Sequence, residues 1–508
     1  MISVSIRKLL LAAFVLLAFR VHAQQGSFAE RREEQFYFEK LYARVPSSIS
    51  WWKGKNRAYI KGRFANEQGD FRNPQQYGKG NFTGLKTASL STLGNSGWTL
   101  HGSFEYENSR ADSVNTNLSY FNRDHGAPFY FFIKKPGEWN LQHYGFNADI
   151  SKTFANDKYA MGLSIKYDID LAYRKIDTRN EFTKLASLLR YSLTYNSGAY
   201  GRYSMGIELY QKKTGSELHN KYPHPTSDDT YNIYFNTGLG SYFKNLTSGI
   251  ISRETSPGAL VQWHLDNKSG EILARYSIRS GKRKWINDEI YKATQSNIVA
   301  RYDYTLHTAT LFHKASAGKN SLEQLLEAEY ISGTGKSRDN TLENFRKNYT
   351  TSVINAGLTN IYRIPVENGL KAISLKTRYE SLDELDKSYG YKFAYSNLYA
   401  GASLTGGLYL GSWDTNLSAG ADYKLHLQHS HDPKAARDNI YYNWIAIPAM
   451  AYHTTDYFQL NTRLSTARNL EHNALEFDIA YSLILPSGQG SGANKNFRHI
   501  SASVSFWF

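Results

Sequence analysis

The sequence predicts a transmembrane antiparallel β-barrel of about 20 strands, within a range of 16–22, preceded by a short helical segment. Three observations predict it. Apolar and polar residues alternate in segments of roughly ten residues, the span of a tilted membrane strand. Connections between segments are short and turn-like on one side and long and polar on the other. The chain ends in an alternating run with an aromatic last residue, Ile500, Ala502, Val504, Phe506 and Phe508 against Ser501, Ser503, Ser505 and Trp507.

In chain order, the first element is an export signal over residues 1–23. Arg7 and Lys8 supply a positive start, Leu9 to Phe19 an apolar stretch, and Val21-His22-Ala23 a small-residue cleavage site. The apolar stretch is too short to cross about 30 Å of hydrocarbon as an anchor. Removing the signal takes three cations from a formal charge of +15, leaving +12. Residues 24–55 form a periplasmic or lumenal segment whose stretch 31–43 has helical spacing through Phe36, Leu41 and Tyr42.

Residues 56–508 carry the barrel. In 159–171, Tyr159, Met161, Leu163, Ile165, Tyr167, Ile169 and Leu171 alternate with Lys166, Asp168, Asp170 and small residues. Residues 98–106, 394–410 and 413–425 repeat the pattern, the last two joined only by Gly411-Ser412, a tight-turn signal. Short connections fall at Gly94–Gly97, Asn156-Asp157, Asn196–Gly198, Asp266–Gly270 and Glu367–Gly369. Long polar ones cover roughly 107–138, 214–229, 243–257, 280–293, 332–349, 380–393, 426–440 and 486–496. The pattern leaves open whether 114–121, 230–242 and 296–314 are strands or loops. A soluble β-sandwich would rarely need this many strands in one domain.

Composition removes other classes. Helical spans are excluded because the only long apolar run is the N-terminal one. The 39 Tyr, 26 Phe and 9 Trp argue against disorder, and with no cysteine there is no disulfide, thiolate nucleophile or Cys-ligated metal. Phased by alternation, the lumen carries Lys166, Arg190, Arg275, Arg279, Arg301, Lys376, Arg378, Lys424 and Arg463. The acids facing them are Glu105, Asp168, Asp170, Glu208, Glu271, Asp303, Glu380, Asp414, Asp422, Glu476 and Asp478. Nine cations against eleven acids leave the lumen near balance. The excess positive charge therefore belongs to loops such as Lys212-Lys213 and Lys282–Lys284, where it answers lipopolysaccharide phosphate or an acidic partner.

The sequence offers little chemistry. G-x-S-x-G, H-E-x-x-H and phosphate-cradling glycine loops are absent, and no basic stacking sheet suits nucleic acid. We expect no enzyme activity, no cofactor, no metal site and no nucleic-acid partner. His426, His429, His431 and Asp432 are close in sequence, yet three histidines in a loop without fixed supporting partners are more often plain loop residues than a metal site. His219, His224, Asp228 and Asp229 could serve a rim hydrolase, but Pro223 and Pro225 mark an irregular loop. Phe129, Tyr130, Phe131 and Phe132 are the partner-docking candidates, since four adjacent aromatics form an apolar surface. Their alternative is a loop folded into the lumen. Residues 24–55 are the one candidate plug in the chain, far smaller than a dedicated plug domain, which argues against a self-contained TonB-dependent transporter.

Some short motifs carry a resemblance. The N-terminal helix runs into Val45-Pro46-Ser47-Ser48, followed by Gly69-Asp70-Phe71-Arg72-Asn73-Pro74. Ala127-Pro128-Phe129-Tyr130 then precedes Trp139-Asn140-Leu141-Gln142-His143-Tyr144. In these the chain resembles a Bacteroidota outer-membrane β-barrel family with a domain of unknown function. The resemblance implies a companion of TonB-dependent receptors and surface lipoproteins, and it implies no catalytic residues. The expectation is a cell outer-membrane barrel that acts as a transport-associated subunit or passive channel, in contact with outer-membrane lipid and lipopolysaccharide. The rivals are a rim hydrolase and a surface adhesion or partner-docking protein.

Overall fold

The computed structural model describes residues 35 and 37–508, except 53–55, 74, 75, 77, 94, 95, 115, 120–123, 222–230, 241, 245–248, 268, 269, 288–297, 340, 341, 367, 368, 411, 432–438, 471, 472 and 488–495. The export signal therefore lies outside the described residues.

Among the described residues, an 18-stranded antiparallel sheet closes on itself. The first barrel strand, Arg57–Gly69, pairs with the second, Lys79–Thr92, and with the last, Phe497–Trp507. Closure removes the sheet edges that hydrocarbon could not satisfy. The count is even, as membrane barrels of one chain prefer, and two below the expected 20. The run 296–314 is one strand, Ile298–Ala317. By contrast, the described residues 116–119 form no strand, and 230–242 contributes Tyr234–Asn236 and the start of Tyr242–Lys244 to a separate three-stranded sheet with Phe131-Phe132.

Alternation does what the period-two pattern requires. Met161, Leu163, Ile165 and Leu171 point outward with Leu189, Leu193, Met205 and Ile207, all more than a third exposed. Their strand neighbours Ser164, Asp170, Ser192, Ser204 and Glu208 are buried inside. At the C-terminus Ile500 and Val504 face outward, whereas Trp507 faces inward, packing on Tyr59 at 4.7 Å and reaching Glu476.

Strands run well beyond the predicted boundaries on the long-loop side. Arg202–His219, Ile250–Asn267, Gly270–Asn287, Asn320–Asp339 and Trp413–His431 absorb much of what reads as loop. Above the hydrocarbon, neither face of a strand needs apolar residues, so the hydrogen-bond ladder continues while the hydrophobic signal stops. On this side the inward face turns aromatic, and that inversion misplaces two lumen charges. Arg301 and Asp303 point outward, because Tyr302 and Tyr304 between and beside them are the buried, inward residues.

Candidate functional site

The chain folds into its own lumen from both ends. On the short-turn side the plug is the N-terminal segment, a π-helical turn Phe38–Tyr42 followed by a 3-10 turn Pro46–Trp51. Phe38, Leu41, Tyr42 and Ile49 pack against the inner-wall residues Leu90, Leu273, Phe312 and Leu325. Polar bonds fix the rest. Ser47 N–H donates to Ser192 Oγ at 2.8 Å, and the Ser47 hydroxyl lies 2.7 Å from Thr194 Oγ1. Gln262 Nε2 donates to Ser48 Oγ at 3.0 Å. Arg275 donates to the carbonyls of Lys40 and Leu41 at 3.1 and 3.3 Å, satisfying the C-terminal end of the first turn. Tyr42 donates to Glu271, and burial with that nearby carboxylate pushes its hydroxyl above the usual range, keeping it a neutral donor.

A second plug, which the sequence reading does not contain, fills the long-loop end. Three connections fold inward: 116–136, 231–249 and 439–455 in their described parts. Their apolar residues and the upper wall form one cluster, with Phe131, Phe132, Ile133, Tyr234, Phe235, Tyr441 and Tyr442 all at 2% exposure or less. Phe132 stacks on Tyr234 at 5.1 Å and meets Tyr441 edge-on at 5.9 Å; Phe131 packs on Phe235. Phe129 reaches Trp285 on the wall. The four aromatics offered as a docking surface are thus the core of this plug, exposed by only 4, 7, 2 and 0% from Phe129 to Phe132. The inward-folded alternative is the one that the geometry carries, since burying each ring is worth about 1.5–3 kcal/mol.

Polar wall residues hold the three connections. Tyr302 donates to the carbonyl of His125 at 2.6 Å and Asp386 accepts from Leu239 N–H at 2.9 Å, while Asn236, within the second connection, ties it to the first by donating to the Pro128 carbonyl at 2.8 Å. Lys424, 1% exposed, places its ammonium 2.6 Å from the His453 carbonyl, 2.9 Å from Thr455 and 3.3 Å from Tyr452. That cation sits at the C-terminal end of the α-helix Ile447–Thr454, where the helix dipole favours it. The sequence reading misses this helix. Its signals are Pro448 in its first turn and, ahead of the π-helical turn Tyr442–Ala446 that leads into it, Asn439, whose Oδ1 accepts from Tyr441 and Tyr442 N–H.

Between the plugs the wall is ionic. Glu208 accepts from Arg190 at 2.9 Å and from Arg279 at 2.9 and 3.0 Å. Glu254 pairs with Lys212 at 2.8 Å, both side chains 1% exposed, and accepts from Tyr304 at 2.6 Å. Beside the N-terminal segment lies a cavity of about 520 Å³. Its lining carries the cations Lys61, Arg63, Lys86 and Arg463 and the acids Glu39, Glu105, Glu107, Glu476 and Asp478. Charge of both signs suits a hydrated polar solute. Replacing Glu254 with Leu removes the carboxylate partner of a buried ammonium, at a cost of about 3–5 kcal/mol. The expected readout is a lower urea midpoint, largely recovered when Lys212→Met is added.

The other sequence candidates are not assembled into a site. His219 ends a strand and is exposed, while His224, Asp228 and Asp229 lie outside the described residues. His426 and His429 touch through ring nitrogens at 2.9 Å on a strand rather than in a loop, and Asp432 is outside the described residues.

No curated protein matches the chain. Among solved structures, it is similar to the ferric yersiniabactin uptake receptor FyuA from Yersinia pestis, at 11% identity over 90% of this chain and 80% of that one, with a TM-score of 0.42. The iron transporter FrpB from Neisseria meningitidis matches at 9% identity over 94% and 83%, with a TM-score of 0.39. CdiB from Acinetobacter baumannii matches at 7% identity over 89% of this chain, which spans 60% of CdiB, with a TM-score of 0.37. At these scores none carries an argument about cargo or partner. A family model described as a family of unknown function, DUF6850, matches residues 46–508, and the chain belongs to that family.

Proposed function

We propose that the protein is a gated transport component of the cell outer membrane, passing a polar solute through a lumen that is shut at rest. The observation that carries this reading is the cavity of about 520 Å³ lined by charges of both signs, inside a barrel into whose two ends its own chain folds. A dedicated structural barrel would gain more from an apolar fill than from buried charges, whose desolvation is costly. Two plugs also favour a gated component over a permanently open passive channel. Opening then needs an external input. The TonB-dependent receptor or surface lipoprotein implied by the family resemblance would supply it as a partner.

Planar-bilayer recording tests this. The unaltered chain is expected to be silent, and deletion of 35–52 alone is expected to leave it silent because the loop plug remains. Deletion combined with Phe132→Ala and Tyr234→Ala is expected to give conductance steps. A large steady conductance from the unaltered chain would restore the passive-channel reading. Silence in the doubly unplugged barrel would sink solute passage altogether.

A further inference from the structure

The outer face of the barrel carries a row of cations that the alternation assembles from six consecutive strands. Lys213 on Arg202–His219 is directly opposite Arg253 on Ile250–Asn267, and Arg253 is opposite Lys284 on Gly270–Asn287. Lys284 is opposite Arg301 on Ile298–Ala317, Arg301 opposite Lys336 on Asn320–Asp339, and Lys336 opposite Lys347 on Leu342–Val366. All six point away from the lumen. Their strand neighbours Lys212, Ser252, Glu254, Trp285, Tyr302 and Ser337 are the buried, inward ones. Lys213, Arg253, Lys284 and Lys347 are exposed, with Arg301 and Lys336 half-buried.

Like charges directly opposite on neighbouring strands repel and destabilise the sheet, so a row of six, its last pair beside a β-bulge, calls for anions from outside the chain. Among the described side chains, the acid paired with the row is Asp303, 3.7 Å from Lys336 and one register step closer to the apolar belt, where it also faces Lys282. One carboxylate does not balance the cations around it. Arg301 further stacks on Phe345 at 4.5 Å, presenting its charge beside an apolar ring.

The height of the row identifies the anion. On its strand Lys213 lies ten residues from Tyr203, and Arg253 lies ten residues from Trp263, both aromatics at the short-turn rim. At about 3.3 Å per residue and a tilt near 40°, ten residues rise about 25 Å, the height of a barrel's apolar belt. The row therefore stands where hydrocarbon gives way to headgroups, on the long-loop side that faces the exterior. Its width, five inter-strand spacings, is about 24 Å, enough for several phosphates.

We infer that this row binds the phosphates of lipopolysaccharide in the outer leaflet, fixing a shell of glycolipid along one side of the barrel. The inference is independent of what crosses the lumen. It also splits the basic runs of the sequence: in Lys212-Lys213 and Lys282–Lys284 the inward members, Lys212 and Arg283, serve Glu254, while Lys213, Lys282 and Lys284 face lipid.

The test uses the full barrel in non-ionic detergent, titrated with bisphosphorylated lipid A and followed by native mass spectrometry. The variant combines Arg253→Gln, Lys284→Gln, Arg301→Gln and Lys336→Gln. Its affinity is expected to fall about tenfold or more, whereas Lys371→Gln, on the outer face at the opposite rim, changes nothing. Dephosphorylated lipid A and phosphatidylglycerol are expected to bind the unaltered chain much more weakly. Equal binding of lipid A by variant and parent would overturn the site. Equal binding of dephosphorylated lipid A would overturn phosphate recognition, and equal binding of phosphatidylglycerol would overturn lipopolysaccharide as the source. Should the fourfold variant fail to form a heat-modifiable barrel, Lys213→Gln with Lys347→Gln at the ends of the row is expected to lower affinity severalfold, and no change there would overturn the proposal.

Discussion

Phe132→Ala combined with Tyr234→Ala is expected to release the long-loop plug while the barrel beneath it stays closed. Phe132 is 0% exposed and lies among Tyr234, Tyr242 and Tyr441, so it joins all three inward connections. Truncating a buried phenylalanine costs about 3–5 kcal/mol, and the cost falls on a unit held to the wall by side-chain packing and individual hydrogen bonds rather than by strand ladders. Local opening free energies range from near zero up to the global value. Hydrogen exchange separates the outcomes. Amides of 129–133, 233–240, 441–447 and 449–450 should exchange at least a hundredfold faster, a factor equivalent to about 2.7 kcal/mol, with the protection of barrel strands unchanged. Equal loss of protection in strands such as Arg179–Asn196 would mean that the plug and barrel unfold as one unit and that the plug is no gate.

That plug also marks the limit of what the sequence could show. Wherever a strand lies between lipid and lumen, its two faces differ in chemistry, and the phase is legible: Met161, Leu163 and Ile165 outward, Ser164 and Asp170 inward. Where the strands rise past the hydrocarbon, the pattern inverts, with aromatics such as Trp285 and Tyr302 inward and charges outward. Arg301 and Asp303 then read as lumenal by their charge, although register puts them outside with Lys284 and Lys282. The inward connections fail for the opposite reason. Phe129–Phe132 is apolar whether it meets a partner, lipid or its own chain, and only its tertiary neighbours Tyr234, Phe235 and Trp285 decide. The helix Ile447–Thr454 is hidden likewise. Residues 441–450 are mostly apolar all round, which suits a buried segment and leaves no amphipathic period to detect. The ionic wall was legible residue by residue, as with Arg190, Glu208 and Arg279, while the pairing of all three on one carboxylate required the register.

Gly162→Val is expected to expel the N-terminal plug without weakening the barrel. Gly162 is an inward position of the strand Tyr159–Arg174, and a Cβ there would overlap the backbone at Pro46 and Ser47. The glycine leaves room for the 3-10 turn to lie directly on the wall, where Ser47 bonds to Ser192 and Thr194. Backbone cannot rotate aside as a long side chain can, so the segment must lift, and overpacking of this kind costs about 1–3 kcal/mol before the three polar contacts are lost. Valine itself favours strands, which keeps the penalty off the ladder. Gly406→Val, where a Cβ meets nothing within 4 Å, is the matched control for any effect on the strand alone. The expected signature is fast hydrogen exchange at 46–51 and cleavage of the segment by protease added from the short-turn side, with unchanged heat modifiability. Added to Phe132→Ala and Tyr234→Ala, the same substitution should reproduce the conductance of the deletion. Unchanged exchange at 46–51 would show that the wall yields instead of the segment, and that this plug is a fixed part of the barrel.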